Sequence, residues 1–267
     1  MTLLIAGLVL IVVGGLSHAL LRAGGVAVRA RDFIYQTFLI SGCALGAAAA
    51  VLALATGTPV ATTAFGSMPG GGWALGIDAL SAVFLVAVLG VGAMCAIFGV
   101  HDVLEDAAHS RRSSPFFFAL TLAAIGAVVA ARTVFTFLTA WEIMAIGSYL
   151  LIVTHHEIAD VRRAGLVYLV ATHAATLALF AMFATWQGHA VSGDFASLAE
   201  AAESLPSGAT TAILLLALVG FGFKAGVVPL HFWLPPAHAS APSDVSALMS
   251  GLVIKMGING LLRVVLI

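Results

Sequence analysis

Apolar residues in this chain come in long unbroken stretches, without the narrow apolar stripe of a soluble amphipathic helix. A helix that crosses a bilayer needs roughly 17–25 of them in a row. Eight stretches meet that need, at 3–21, 36–56, 77–100, 115–131, 134–153, 165–187, 210–234 and 244–266. The pattern predicts an all-α, polytopic membrane protein of about eight spans. The seventh span is discontinuous, because Pro229 falls within it and Pro235, Pro236 and Pro242 follow before the next lysine, each removing a backbone donor. Interrupted helices persist within a membrane where they line a polar cavity. The first stretch lacks the basic segment that precedes a signal peptide's apolar core and reads as a retained helix.

Composition sharpens this picture. The chain of 267 residues is 61% hydrophobic and 9% charged, with a mean hydropathy of +1.12. Those values exclude an ordinary soluble domain and give no basis for nucleic-acid binding. Net charge carries little information here, but its sorting between loops does. Arg22, Arg29 and Arg31 fall in the first loop, Arg111 and Arg112 in the third, Arg162 and Arg163 in the fifth. The second and sixth loops have no lysine or arginine, and the short fourth has only Arg132. Basic loops face the cytoplasm, which puts the N-terminus outside and the joint between spans seven and eight inside.

Several local patterns read as structural. Cys43 and Cys95 stand alone in apolar runs and form neither a disulfide framework nor a ligand cluster. The glycines of Pro69–Trp73 lack the Lys-Ser/Thr and preceding strand of a phosphate loop, so they form a turn. Asp194 to Ser207 reads as a short surface helix closed by Pro206. His155, His156 and Glu157 read as a solvated loop at a membrane edge. His18, His101, His109 and His189 are assigned to interfaces or loops, Trp141, Trp186 and Trp233 to packing or interfaces, and Asp78 to an interfacial helix cap.

The remaining polar residues are the ones that cost most. Lys224 and Lys255 are the chain's only lysines, and both lie inside apolar runs. A lysine at the middle of a membrane helix costs about 2.5–3.5 kcal/mol on insertion scales. Glu142 sits about ten residues from either end of span five, too deep for a short carboxylate to reach water. Burial penalises each charge, and pairing restores it. A group held between those effects changes protonation when its partner moves, which is what a proton relay requires. His231 and His238 follow Lys224 at steps of seven, and His173 lies within span six. Histidine exchanges protons near neutrality; each of these three serves either as a relay member or as a bonded structural residue.

At these residues the sequence resembles a known family. Trp141 to Ile152 (WEIMAIGSYLLI), Phe223 to Gly251 (FKAGVVPLHFWLPPAHASAPSDVSALMSG), Val253 to Arg263 (VIKMGINGLLR) and the shorter GIDALSAVF match its motifs. The family is that of the antiporter-like proton-translocating subunits shared by respiratory complex I, Mrp-type Na+/H+ antiporters and group 4 membrane-bound NiFe hydrogenases. The ALMSGLVIK stretch is most similar to the large membrane subunit of hydrogenase-4 and formate hydrogenlyase. The resemblance implies that Glu142 and Lys224 form an acid–lysine pair. It further implies that Lys255 passes the proton onward and that His231 and His238 lie near a cytoplasmic half-channel.

It also implies a domain plan, with a three-helix segment at 1–110 and a proton-channel repeat at 111–267. Family members carry two inverted five-helix repeats, and this chain holds the first. The expectation is a longer subunit, or a second polypeptide that supplies the other repeat. With no ligand set for Fe–S, Ni or flavin in the chain, those groups belong to a soluble redox arm and other subunits. The expected function is redox-driven proton translocation in a bacterial or archaeal cytoplasmic membrane. A Na+/H+ antiporter or ion-coupled uptake subunit without redox partners is the rival. A mere membrane anchor is disfavoured, since it gains nothing from midplane charges.

Overall fold

A computed structural model describes residues 1–62, 71–105 and 115–266, with the backbone alone from 99 to 105. The helices follow the apolar stretches. They are α1 (Thr2–Ala23), α2 (Val28–Thr56), α3 (Ala79–Glu105), α4 (Pro115–Ala130), α5 (Val134–Ile152) and α6 (Ala159–Gln187). After them come α7 (Phe195–Ala202), α8 (Ser207–Ala225), α9 (Leu234–Ser240), α10 (Ser243–Leu248) and α11 (Ile254–Leu266). Among the described residues, seven helical stretches are long and apolar enough to cross a membrane. The apolar helix α4 is shorter, at 16 residues, and is buried on nearly every side. The chain is a mostly helical, multi-span membrane protein.

Several helices outrun the apolar stretches that predict them. Helix α2 starts at Val28, not near 36, and α6 starts at Ala159, not near 165. Arg29, Arg31, Arg162 and Arg163 therefore ride on helix ends, and only Gly24 to Ala27 is left as the first loop. The backbone continues its hydrogen bonding past the point where apolar side chains are needed, and long basic side chains reach the interface from there. Arg111, Arg112, His101 and His109, and the expected domain boundary near 110, lie outside the described side chains. So do Pro69 and Gly70 of the glycine turn.

One end of the bundle is laced by a small ribbon. Val60–Ala61 (β1) pairs antiparallel with Gly76–Ile77 (β2), and isolated bridges join Leu75 to Ala131 and Thr133 to Asp194. Thr133 caps α5 by accepting from the Thr136 amide and donates its hydroxyl to the Gly72 carbonyl at 2.7 Å. The surface helix α7 ends at Ala202, and Pro206 instead precedes α8 as its N-cap. It is held down by Phe195 and Leu198, both buried, and by the Trp186 indole N–H, which donates to the Leu198 carbonyl at 3.0 Å.

The break in the seventh span begins at Gly226. Its φ of +70° is left-handed, a conformation that suits glycine and ends a helix. The chain then turns and re-enters helix at Leu234, with Pro235 and Pro236 in the first turn of α9, where their missing N–H groups would have no helical partner anyway. Trp233 satisfies one of the carbonyls left open at the end of α8 by donating to Phe223 O at 2.8 Å. The last span is helical throughout, but Met249–Val253 forms a single π turn between α10 and α11. Helix α11 presses on α8 through Gly257: a Cβ there would meet Phe221 O and Ala225 N at 2.5 Å. That contact fixes the α8 turn bearing Lys224.

Candidate proton-relay site

Lys224 occupies the last turn of α8 and is 2% exposed. Its amine donates to Tyr168 Oη at 2.8 Å and to Thr172 Oγ1 at 3.2 Å, both on α6. The Tyr168 ring centroid lies 5.0 Å from Nζ and the Trp141 centroid 5.9 Å, distances at which an aromatic face attracts a cation. Trp141 is fixed by stacking on Phe137 and an edge contact with Phe221, and Tyr168 by an edge contact with Trp233. The lysine is therefore wrapped in neutral hydroxyls and rings.

The expected Glu142–Lys224 ion pair is absent from this arrangement, and no ion pair joins the two side chains. Glu142 Oε2 instead faces His173 Nε2 at 3.5 Å, while Glu142 Oε1 is buried without a hydrogen-bond partner. The physical reason lies in α6, which stands between the two residues' alternatives. Tyr168 and Thr172 are four residues apart and share one face of the helix. His173, one residue further, is turned by about 100° and meets α5.

The His173 ring carries more information. Nδ1 is 2.9 Å from the Leu169 carbonyl, which can only accept, so Nδ1 bears a hydrogen. Nε2 then bonds Glu142 only if one further proton resides between them, on the imidazole or on the carboxyl. Glu142 borders an open groove of about 540 Å³ between α5 and α6, lined by Leu138, Ile143, Ile146, Phe180 and Gln187 among others.

The other expected residues spread away from this centre. His231 lies in the turn after α8, with Nδ1 buried and unpartnered. His238, on α9, has Nδ1 2.8 Å from the Ser246 hydroxyl of α10, and burial lowers its pKa below the ordinary value. Lys255 follows the π turn and is exposed on α11; no hydrogen bond or ion pair links it to Lys224. The structure thus gathers Glu142, His173 and Lys224 around α6, places His231 and His238 along the broken segment, and leaves Lys255 on the surface of the chain.

Sequence reasoning passed over Tyr168 and Thr172, although a tyrosine and a threonine one turn apart, just before His173, gave a visible polar stripe in an apolar span. Trp141, assigned to packing, also faces the lysine. His18, assigned to an interface, is buried with Nε2 3.0 Å from Asp32, because α2 starts early enough to bring that acid alongside. Asp78 does cap α3, accepting from the Ser81 amide at 2.8 Å, but it also binds two arginines. Arg132 Nη1 reaches its carboxylate at 2.9 Å, Arg263 Nη1 bonds the same oxygen, and Arg263 Nη2 reaches Ser81 Oγ at 2.8 Å. The Arg263 and Arg132 guanidiniums and the Ser81 N–H thus converge on the Asp78 carboxylate.

The chain is similar in sequence and fold to known membrane proteins. Residues 131–267 match the family model for the membrane subunits of NADH:quinone oxidoreductase and the Mrp antiporter, and the chain belongs to that family. It is 34% identical to hydrogenase-4 component B of Escherichia coli over 190 residues, which is 71% of this chain and 28% of that protein. In fold it matches a chain of the membrane-bound sulfane sulfur reductase, an archaeal respiratory membrane complex, with a TM-score of 0.80 at 21% identity. That match covers 99% of this chain and 53% of the other. A chain of the Mrp complex from Dietzia sp. gives a TM-score of 0.75 at 25% identity, over 99% of this chain and 49% of that one. The chain thus spans less than a third of that curated relative and about half of each solved chain.

Proposed function

We propose that this chain moves protons across a bacterial or archaeal cytoplasmic membrane as part of a redox-driven complex of the hydrogenase-4 type. The observation that carries the reading is Lys224, an amine buried at the end of an interrupted membrane helix with no carboxylate beside it. A purely structural lysine would be expected to take the nearest acid.

In the proposed cycle, the Glu142–His173 pair holds one proton while Lys224 rests on α6. A redox event in a partner arm draws Lys224 and Glu142 together, and the proton shared with His173 moves wholly onto the imidazole, because the ammonium stabilises the Glu142 carboxylate; it is shared again when the pair reopens. When the pair reopens, Lys224 loses its counter-charge in a desolvated site and passes a proton toward Lys255. His231 and His238 supply it again from the cytoplasmic side, with the N-terminus outside. Moving one charge against 100 mV needs about 2.3 kcal/mol, comparable to weakening one desolvated ion pair. The metal and flavin groups belong to partner subunits, and residues 111–267 form one half-channel whose second half comes from a further segment or chain.

A Na+/H+ antiporter subunit is the second reading, favoured by the match to the Mrp complex chain. The test of the first is proton uptake by inverted membrane vesicles that hold the intact complex. Lys224→Ala and Glu142→Gln are expected to abolish uptake while partner redox activity and assembly persist. Unchanged uptake in either variant overturns the relay. Sodium-dependent flux from a complex without redox subunits, identified by mass spectrometry, moves the assignment to the antiporter.

A further inference from the structure

We propose that Tyr168 and Thr172 are positioning residues that form a dock for the Lys224 ammonium, so that α6 decides when the lysine is available to Glu142. The inference rests on the relay reading of Lys224 and adds what holds the pair apart.

An ammonium has three donors and no acceptor. Two are taken by Tyr168 Oη at 2.8 Å and Thr172 Oγ1 at 3.2 Å, and the aromatic faces of Tyr168 and Trp141 lie within 6 Å of Nζ. All of these are neutral, and they solvate a cation without neutralising it. A site built only to quench the charge would hold a carboxylate. A site built only to pack the stem would not need two hydroxyls aimed at the amine on one face of α6. Bonds to a charged donor are stronger than neutral ones, so leaving the dock costs enough to require a drive, yet less than breaking an ion pair.

The same helix serves the other partner. His173, adjacent to Thr172, faces Glu142 at 3.5 Å and is anchored by its bond to Leu169 O. Each member of the expected acid–lysine pair therefore has a substitute on α6. The ionisable groups on the elements packed against α8 are Asp160, Arg162, Arg163, Tyr168 and His173 on α6 and Lys255 and Arg263 on α11, with Glu142 on the neighbouring α5. Of these, Tyr168 alone hydrogen-bonds the amine.

The test uses the intact redox complex in inverted membrane vesicles and measures protons moved per electron together with redox-induced infrared difference spectra. Tyr168→Phe keeps the ring and removes the hydroxyl. It is expected to lower the proton-to-electron ratio, because losing a hydrogen bond to a charged group shifts occupancy of the dock by about tenfold. Thr172→Val is expected to lower it less, and Thr172→Ser to restore it. The wild-type difference spectrum is expected to contain a phenol C–O band that disappears in Tyr168→Phe and also in Lys224→Ala, since the tyrosine loses its moving partner. A packing role alone would not put a tyrosine band under redox control. A wild-type ratio in Tyr168→Phe, or a wild-type spectrum without that band, overturns the dock. If Tyr168→Phe fails to assemble, the comparison of wild type with Lys224→Ala still decides. Full pumping in Lys224→Ala overturns the relay itself, whereas loss there with normal pumping in Tyr168→Phe overturns only the dock.

Discussion

The node around Asp78 and the chamber around Lys224 handle the same problem, a charge drawn away from bulk water, in opposite ways. Asp78 is over-supplied: two guanidiniums and an amide N–H converge on one carboxylate, while Ser81 Oγ takes further guanidinium donors and itself donates to Val129 O at 2.8 Å. Lys224 is under-supplied, held by two neutral oxygens and two rings, and Glu142 leaves one carboxylate oxygen bare. A charge with surplus partners stays where it is, because no single displacement frees it. A charge with only enough neutral partners to tolerate burial changes places at modest cost. The first arrangement ties α3, the α4–α5 joint and α11 together, and the second suits a moving part.

The comparison breaks most sharply under a substitution that removes charge from each site. Lys224→Met, close in volume and uncharged, is expected to reduce proton uptake more than a hundredfold while the melting temperature of the complex stays level or rises. A buried charge without a counter-ion is not a net source of stability, and replacing it with an apolar side chain relieves desolvation. Thermal unfolding and vesicle uptake measured on the same preparation check both halves. A fall in melting temperature would place Lys224 with the structural charges.

Asp78→Asn is expected to act in reverse, lowering stability by about 2 kcal/mol, because two partly buried guanidiniums lose their shared counter-charge. Uptake per assembled complex should remain near normal. Arg132→Gln should cost less, about 1 kcal/mol, because Arg263 still neutralises Asp78. Thermal melts of the two variants side by side give the order, and a larger loss for Arg132→Gln would mean that the surplus at this node is only apparent.

What the sequence revealed follows the range over which each cause acts. The spans, the break after Lys224 and the isolated ionisable residues were readable because cost in lipid is local to a residue and its neighbours in the chain. The partners were not. Arg263 meets Asp78 across 185 positions, and nothing in either segment announces it. The expectation of Glu142 beside Lys224 came from the family resemblance, whereas rotation along α6 gives each a different neighbour. Tyr168 and Thr172 were missed for the opposite reason: hydroxyls cost little in a membrane helix, so they raise no alarm until a lysine is seen resting on them. Helix ends were misjudged where amphipathic side chains let α2 and α6 extend beyond the lipid.

The smallest effect sharpens the comparison at the edge of the proposed relay, where His238 joins α9 to α10. Burial lowers the pKa of this histidine in the folded chain. As pH falls below the ordinary histidine value, about 6.5, the unfolded chain takes up a proton that the folded chain resists. Stability is therefore fully present above that value and is lost on acidification. His238→Asn should flatten this dependence, narrowing the difference in melting temperature between pH 7.5 and pH 5.5 by on the order of 1 °C. If the variant instead lost proton uptake at pH 7.5 with an unchanged melt, His238 would belong with Lys224 among the charges that move, and the boundary between the two kinds of site would lie beyond α9.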